Sequence, residues 1–279
     1  MKYKIVVDSC CELPEELMKD ERLERVPLGL EVGDYHIEDD DNFDQADFLR
    51  RIAECPVCAK SSCPSPERFM EAFGEDTERV YVVTLSSHLS GSYNSAMVAK
   101  GLYQEKHGDN KKVHVVDSES ASGGETQIAL KLMELEEQGL PFEKIVEEIE
   151  QFRDTRSVYF VLDNLETLRK NGRLTGVKAF VASTLNIKPV MSAEHGVIVQ
   201  RGQSIGLKKA FAKMAEMFVN EIGSTEGRRL IITHCNAPER AEQAKALITK
   251  LAQFEEIIIM DMRGLSSLYA NDGGLIVTA

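Results

Sequence analysis

The sequence predicts an α/β protein of two domains: residues 1–155, with helices on both faces of a parallel sheet, and residues 156–279, an α/β unit on a mixed sheet. Short apolar runs rich in β-branched residues alternate with amphipathic stretches, the pattern of strands separated by helices. At 279 residues the chain is long for one small core and comfortable as two domains. The composition shifts at Asp154-Thr155-Arg156-Ser157, directly after an acidic amphipathic stretch, and the boundary is placed there.

In the first half, residues 4–8, 80–85 and 113–117 read as strands, each running into a loop of Ser, Asp or Gly. Residues 45–55 put Phe48, Leu49 and Ile52 on one helical face, and residues 126–138 do the same with Ile128, Leu132 and Leu135. Residues 142–152 form a third such helix, with Phe142, Ile145, Val146 and Ile149 inward. In the second half, residues 158–162 read as a strand and 165–170 as a short helix stopped at Asn171-Gly172. Residues 187–191 and 197–200, joined across Ala193-Glu194-His195-Gly196, read as a hairpin. Residues 208–221 and 238–254 are predicted helices, and 230–234, 256–261 and 274–278 strands.

Acidic side chains outnumber Lys and Arg by 46 to 33, and the net charge of −13 repels nucleic acid and anionic lipid surfaces. The N-terminal run Lys4-Ile5-Val6-Val7-Asp8 is too short for a signal segment or a membrane span, so a cytoplasmic protein is expected. Six cysteines, two of them adjacent at Cys10 and Cys11, do not make the dense framework of a small secreted fold, and reduced thiols are expected. Cys55-Pro56-Val57-Cys58, followed by Cys63, has redox or metal-ligand spacing but lacks a second pair, and no metal is assigned.

Chemistry concentrates in three loops. In Thr84-Leu85-Ser86-Ser87-His88-Leu89-Ser90-Gly91-Ser92-Tyr93-Asn94-Ser95-Ala96 an apolar strand runs through a Ser/Gly loop into a helix from about Tyr93. Ser90 or Ser92 suits the N-cap, and Gly91 allows close backbone approach, so hydroxyls and unpaired helix amides converge on a carboxylate or phosphate. Plain helix capping is the alternative. In Ala59-Lys60-Ser61-Ser62-Cys63-Pro64-Ser65-Pro66-Glu67 the prolines hold an extended loop, Ser65 caps a helix starting at Pro66, and Ser61 and Ser62 have no helix to cap. A third strand-to-helix loop, residues 116–124, repeats the pattern, with Ser120 or Ser122 as cap, where open α/β sheets place ligands.

Other chemistries lack their spacings: there is no phosphate loop, no dinucleotide fingerprint and no G-x-S-x-G nucleophile elbow. His88 lies two residues before Ser90, which raises a serine esterase or thioesterase, but no third group is identifiable to orient the imidazole. His234 reads as structural, and the basic pairs Lys208-Lys209 and Arg228-Arg229 read as solvated surface.

Taken in order, Val7-Asp8-Ser9, Ser61-Ser62-Cys63-Pro64-Ser65-Pro66, Leu85 to Ala96, Val116-Asp117-Ser118 to Gly123, Leu162-Asp163-Asn164-Leu165 to Asn171-Gly172-Arg173-Leu174, and Leu185-Asn186-Ile187-Lys188-Pro189-Val190 span the chain. With these motifs the whole sequence resembles the DegV family, whose better understood members are the fatty-acid-binding subunits of bacterial fatty acid kinase. The resemblance implies a Rossmann-like N-terminal domain and a long-chain fatty acid buried between the domains, with no other cofactor. It implies a carboxylate held by a Thr-Ser pair in the Pro-containing loop and a Ser-Gly in the strand-to-helix loop, carried over here as Ser61, Ser62, Ser90 and Gly91.

The resemblance also implies a partner, a separate ATP-dependent kinase that phosphorylates the bound carboxylate, so that this chain is a carrier without catalytic groups. A regulatory module without bound lipid is the non-enzyme rival. Two runs depart from the family. Gln203-Ser204-Ile205-Gly206-Leu207 replaces its usual Arg or Lys before Lys208, and Tyr269-Ala270-Asn271-Asp272-Gly273-Gly274 replaces its usual His-Thr-Gly-Pro-Gly. The missing cations and imidazole would suit an acyl phosphate. Cys63 stands where glutamine is common.

Overall fold

A computed structural model describes residues 2–108, 110–174 and 186–279. Leu185, the first residue of one family run, lies outside the described residues. The chain opens with β1 (Tyr3–Asp8), β2 (Leu23–Val26), β3 (Gly29–Val32), β4 (Tyr35–Glu38), α1 (Gln45–Glu54), β5 (Lys60–Ser62), α2 (Pro66–Ala72), β6 (Arg79–Thr84), α3 (Ser92–His107), β7 (Lys112–Asp117), α4 (Gly123–Glu137) and α5 (Phe142–Asp154). It continues with β8 (Val158–Val161), α6 (Glu166–Lys170), β9 (Ile187–Glu194), β10 (Val197–Ile205), α7 (Leu207–Ile222), β11 (Arg229–His234), α8 (Pro238–Thr249), β12 (Glu256–Asp261), α9 (Gly264–Ala270) and β13 (Leu275–Thr278).

The first sheet runs β2-β1-β6-β7 with every pair parallel, as expected. Strand alternation sorts its side chains onto two helix layers. Ile5, Val7, Tyr81 and Val83 pack with Ile128, Leu132, Ile145 and Ile149 of α4 and α5. Val6, Val80, Val82 and Val113 pack on the other face with Phe69, Phe73, Ala96 and Ala99 around α2 and α3. Ser65 caps α2, accepting from the Arg68 N–H at 3.5 Å, with Pro66 in the first turn.

The second sheet is mixed, in the order β10-β9-β8-β13-β11-β12, and only β11 and β12 pair in parallel. Tyr159 and Val161 of β8 join Phe211, Met214, Phe218 and Ala244 of α7 and α8, whereas Phe160 and Leu162 belong to a separate cluster with Met191 and Ile198. The β9–β10 turn holds His195 and Gly196 at φ 47° and 78°, the two positive values that a tight two-residue hairpin turn requires. Its strands run to Ile205, beyond the predicted end, because a register shift between Gln200 and Gly202 breaks the alternation that marks a strand in sequence.

Several boundaries move for physical reasons. Helix α4 starts at Gly123, ahead of the expected Thr126, because a glycine there lets the helix sit directly on the second sheet. A Cβ at Gly123 would meet a methyl of Ile231 at 2.8 Å. Helix α8 ends at Thr249 and not at Phe254: the Thr249 hydroxyl donates back to the Lys245 carbonyl at 2.8 Å, and the chain turns to bring Glu256 beside Arg229. Arg229 is not solvated surface, since its guanidinium pairs with Glu134 at 2.8 Å and with Glu256, tying α4 to β12.

A third, antiparallel sheet, β4-β3-β5, and the helix α9 were not foreseen. Leu28, Leu30 and Val32 pack with Phe48 of α1, Leu85, and Leu265 and Leu268 of α9, so this cluster joins the two halves of the chain. No helix among the described residues is long and apolar enough to cross a membrane.

Candidate functional site

The loop after β6 is held from several sides. The Ser86 N–H donates to the Ser120 carbonyl at 2.8 Å, and the Ser86 hydroxyl donates to the Gly196 carbonyl at 2.9 Å, which fixes the loop against the β9–β10 turn. Leu89 and Ser90 N–H groups both return to the Ser86 carbonyl. Gly91, not a serine, occupies the N-cap of α3. The Ser90 hydroxyl instead accepts from the Ser92 N–H at 3.2 Å and donates to the Ser92 hydroxyl at 3.3 Å. Ser122 likewise caps nothing with its side chain; its hydroxyl donates to Thr233 at 2.9 Å, a link between α4 and the second sheet.

Ser61 and Ser62 lie in β5, antiparallel to β3, and not in an irregular loop. Strand alternation therefore sends their side chains to opposite faces. Ser61 is half-buried, and its hydroxyl is 3.0 Å from the phenol oxygen of Tyr269 at the end of α9. Ser62 is exposed and lies over Gly29, where an added Cβ would come within 2.4 Å of its hydroxyl. Gly91 is exposed beside Cys63, whose sulfur would be 3.0 Å from a Cβ placed there. The Ser95 hydroxyl, bonded to the Pro64 carbonyl at 2.6 Å, clamps α3 to the Pro-containing loop.

Between the two larger sheets lies a cavity with about 830 Å³ of empty space, part of it open to solvent. Val158, Phe160 and Leu162 supply alternate residues of one wall, about 13 Å of it at about 3.3 Å per residue. Leu28, Leu85 and Leu89 supply the facing wall, and Leu168, Ile198 and Leu265 extend the apolar surface. Ser61, Ser90, Tyr269 and Arg173 also line it. The Arg173 guanidinium sits 5.7 Å from the Tyr269 ring centroid and donates to the Leu89 carbonyl at 3.1 Å. Of the four predicted head-group residues, the structure thus brings Ser61 and Ser90 to one cavity; Ser62 points from the other face of β5, and Gly91 stands just outside the lining at the α3 terminus.

Sequence reasoning missed Tyr269 and Arg173. Both lay inside motifs that were noted, one as a departure from the family and one as a match. Nothing local connects either to Ser61 or Leu89, which are 208 and 84 positions away. The hydrolase arrangement does not assemble. His88 is exposed, its ring has no hydrogen-bond partner among the described residues, and the Ser90 hydroxyl is paired with Ser92. His234 is structural: its Nδ1 accepts from the Ala237 N–H at 3.2 Å and lies 3.3 Å from Asp261. All six cysteines are unpaired, and Cys55 and Cys58 belong to no cluster of metal-ligating groups among the described residues.

A parallel sheet and a mixed sheet closed over a mainly apolar cavity, with hydroxyls, the Arg173 guanidinium and the Glu119 carboxyl in its wall, define an α/β ligand-binding protein, and no nucleophile–base pair is assembled there among the described residues. The family model described as "Uncharacterised protein, DegV family" matches residues 2–277. The chain belongs to the DegV family. A DegV domain-containing protein of Streptococcus pyogenes serotype M18 is 36% identical over 99% of both chains. Among solved structures, a DegV family protein from Ruminococcus gnavus, refined with vaccenic acid, superposes with a TM-score of 0.97 at 48% identity, covering 100% of this chain and 99% of that one. The Streptococcus pneumoniae fatty acid kinase B3 protein, loaded with linoleic acid, gives 0.89 at 32% identity with 100% and 99% coverage.

Proposed function

We propose that this chain binds a long-chain fatty acid in the inter-sheet cavity and serves as an acyl carrier, without catalytic groups of its own, in the cytoplasm. Residues 1–155 and 156–279 act as the two domains that enclose the ligand. The observation that carries this reading is the gathering of Ser61, Ser90, Tyr269 and Arg173 in the wall of a mainly apolar cavity, whose other polar lining residues include Glu119, Ser120 and Ser266. A carboxylate is recognised by hydroxyl donors and a guanidinium, and the chain behind it by the leucine and phenylalanine walls. Gly91 contributes the amide end of α3, and Ser62, on the outer face of β5, receives no carboxylate contact in this assignment. The vaccenic acid and linoleic acid held by the R. gnavus and S. pneumoniae relatives support the ligand class.

Chain burial supplies most of the affinity. At about 0.8 kcal/mol per methylene, roughly fourteen buried methylenes contribute on the order of 11 kcal/mol before ordering costs. A kinase that phosphorylates the carboxylate would find Arg173 as a nearby cation but a phenol where the family usually has imidazole, so we propose a weak kinase partnership. The test is mass spectrometry of organic extracts from protein purified out of bacteria. Acyl chains at close to one per protein are expected, and extracts free of any acyl species would end the proposal.

A further inference from the structure

We propose that Asp8, Cys10 and Glu125 form a binding site for one divalent transition-metal ion, zinc(II) being the ion their donor set fits best. Asp8 ends β1, Cys10 follows it by two residues, and Glu125 stands in the first turn of α4. Their exposures are 0%, 2% and 0%, and one ligand atom from each lies within 4.8 Å of the others. Metal–donor distances of about 2.0–2.3 Å put neighbouring donors roughly 3.3–3.7 Å apart in a tetrahedral site, so side-chain adjustment of about 1 Å closes the set. Cys10 also lines the inter-sheet cavity, which gives an ion a route in.

The unsatisfied groups point the same way. Asp8 is served by two backbone donors, the Cys10 N–H at 3.1 Å and the Leu85 N–H at 3.0 Å. Glu125 is fully buried, and no hydrogen-bond partner outside the cluster reaches either of its carboxylate oxygens, which face only Asp8 and Cys10. The Thr84 hydroxyl, one residue past the Val7–Val83 pair on the adjoining strand, is buried without a partner too. No Lys or Arg side chain among the described residues bonds to Asp8 or Glu125. A buried carboxyl in that state requires either a cation or a proton. Burial lifts the Asp8 carboxyl to about 6 and pushes the Glu125 carboxyl and the Cys10 thiol well above their usual ranges; the Asp8 charge raises the latter two further, and the Glu125 charge raises Cys10. A bound cation reverses that penalty, and the protons on sulfur and carboxyl leave to solvent as the ion enters. A thiolate in the set selects zinc over magnesium or calcium. Bound there, the ion would tie the end of β1 to the start of α4, behind the cavity wall.

The test uses the full chain with Cys55, Cys58 and Cys63 replaced by serine, so that the more accessible thiols cannot contribute. After chelator treatment it should take up a single equivalent of zinc, release protons on doing so, and melt several degrees higher. Cobalt(II) should give the near-ultraviolet thiolate charge-transfer band. Cys10→Ser should abolish that band, and Glu125→Gln, neutral and nearly isosteric, should weaken zinc uptake at least about tenfold. Metal-free protein that neither takes up zinc nor shifts its melting would overturn the site and leave a carboxyl pair sharing a proton in its place. Uptake unchanged in Glu125→Gln would overturn it equally. Should either variant fail to fold, the cobalt spectrum of the parent decides, because a missing thiolate band excludes Cys10. The uptake and melting measurements use delipidated protein, so that no acyl chain blocks the ion's route and failure of the metal site is read separately from failure of lipid binding.

Discussion

The Ser61 hydroxyl and the Tyr269 phenol meet at 3.0 Å, joining strand β5 of the third sheet to helix α9 across 208 residues of sequence. Both residues line the cavity, so the pair is where the two halves of the chain jointly face it. Tyr269→Phe keeps the ring beneath Arg173 and removes only the oxygen. A hydrogen bond to a charged group is worth about 1.5–3 kcal/mol, so fatty-acid affinity should fall roughly tenfold to a hundredfold while the melting temperature barely moves. Calorimetric titration with a single fatty acid measures this, and unchanged affinity would remove Tyr269 from the head-group site.

Helix α9, which carries Tyr269, is held by Asp39. One carboxylate oxygen accepts from the Gly264 N–H at 2.9 Å and the other from the Leu265 N–H at 2.8 Å, with Asp39 fully buried. Asp39→Ala strands both amides inside the protein. A lost cap of this kind costs about 1–2 kcal/mol in urea unfolding, and α9 should open ahead of the rest of the molecule. Hydrogen exchange across residues 264–270 reports the local effect. If those amides stay as protected as in the wild type, Asp39 is not what seats the helix.

Apart from the edge strand β2, four residues with charged Glu24 and Arg25, the two main sheets were legible in the sequence because their strands carry regular alternation or continuous apolar runs, as in Lys4-Ile5-Val6-Val7-Asp8 and Leu230-Ile231-Ile232. The third sheet was not. Gly29–Val32 and Lys60–Ser62 are three or four residues long, and β5 is polar throughout, so neither length nor pattern marks it as a strand. Its pairing with β3 depends on Leu30 reaching Phe48 and Leu265. The candidate site divided along the same line. Ser90 was readable from a strand-loop-helix pattern, whereas Tyr269 and Arg173 became visible only when α9 and the segment after α6 were placed against that loop. Helix α9 itself, seven residues of Gly-Leu-Ser-Ser-Leu-Tyr-Ala, has no sequence-local cap, since its cap comes from Asp39.

Asp163, just after β8, is gripped by Arg240 at 2.7 Å and Lys188 at 3.2 Å, and Arg240 also donates to the Gly273 carbonyl at 2.6 Å. Burial alone would raise the Asp163 carboxyl, but the two cations outweigh it and hold it below the usual aspartate range. A group lowered on folding stabilises the protein above its unfolded pKa, about 3.9, and that contribution disappears as pH falls through the folded value. Asp163→Asn should therefore be less stable than wild type by about 1–2 kcal/mol at neutral pH, with the gap closing below about pH 4. Urea melts of both proteins across that range check the sign; a gap that widened in acid would contradict the pairing.

Head-group recognition and chain burial should fail differently when each is removed. The Ser90 hydroxyl donates to Ser92 at 3.3 Å and accepts from the Ser92 N–H, so its proton can be redirected to a carboxylate while the accepted bond stays in place. Ser90→Ala deletes that one donor, at about 1.5–3 kcal/mol, or roughly a tenfold to hundredfold loss. Shortening the ligand by four methylenes removes about 3.2 kcal/mol at about 0.8 kcal/mol each, a loss of roughly two hundredfold. Plotted as free energy against chain length, saturated acids should give two parallel lines, wild type and Ser90→Ala, separated by the hydroxyl contribution. In the proposed pose the cavity-lining Phe160 and Leu162 set the slope by covering the methylenes, and Ser90 sets the offset through the carboxylate. A flat dependence on length combined with complete loss in Ser90→Ala would mean that the cavity binds a small anion at its polar residues and that its apolar walls serve packing alone.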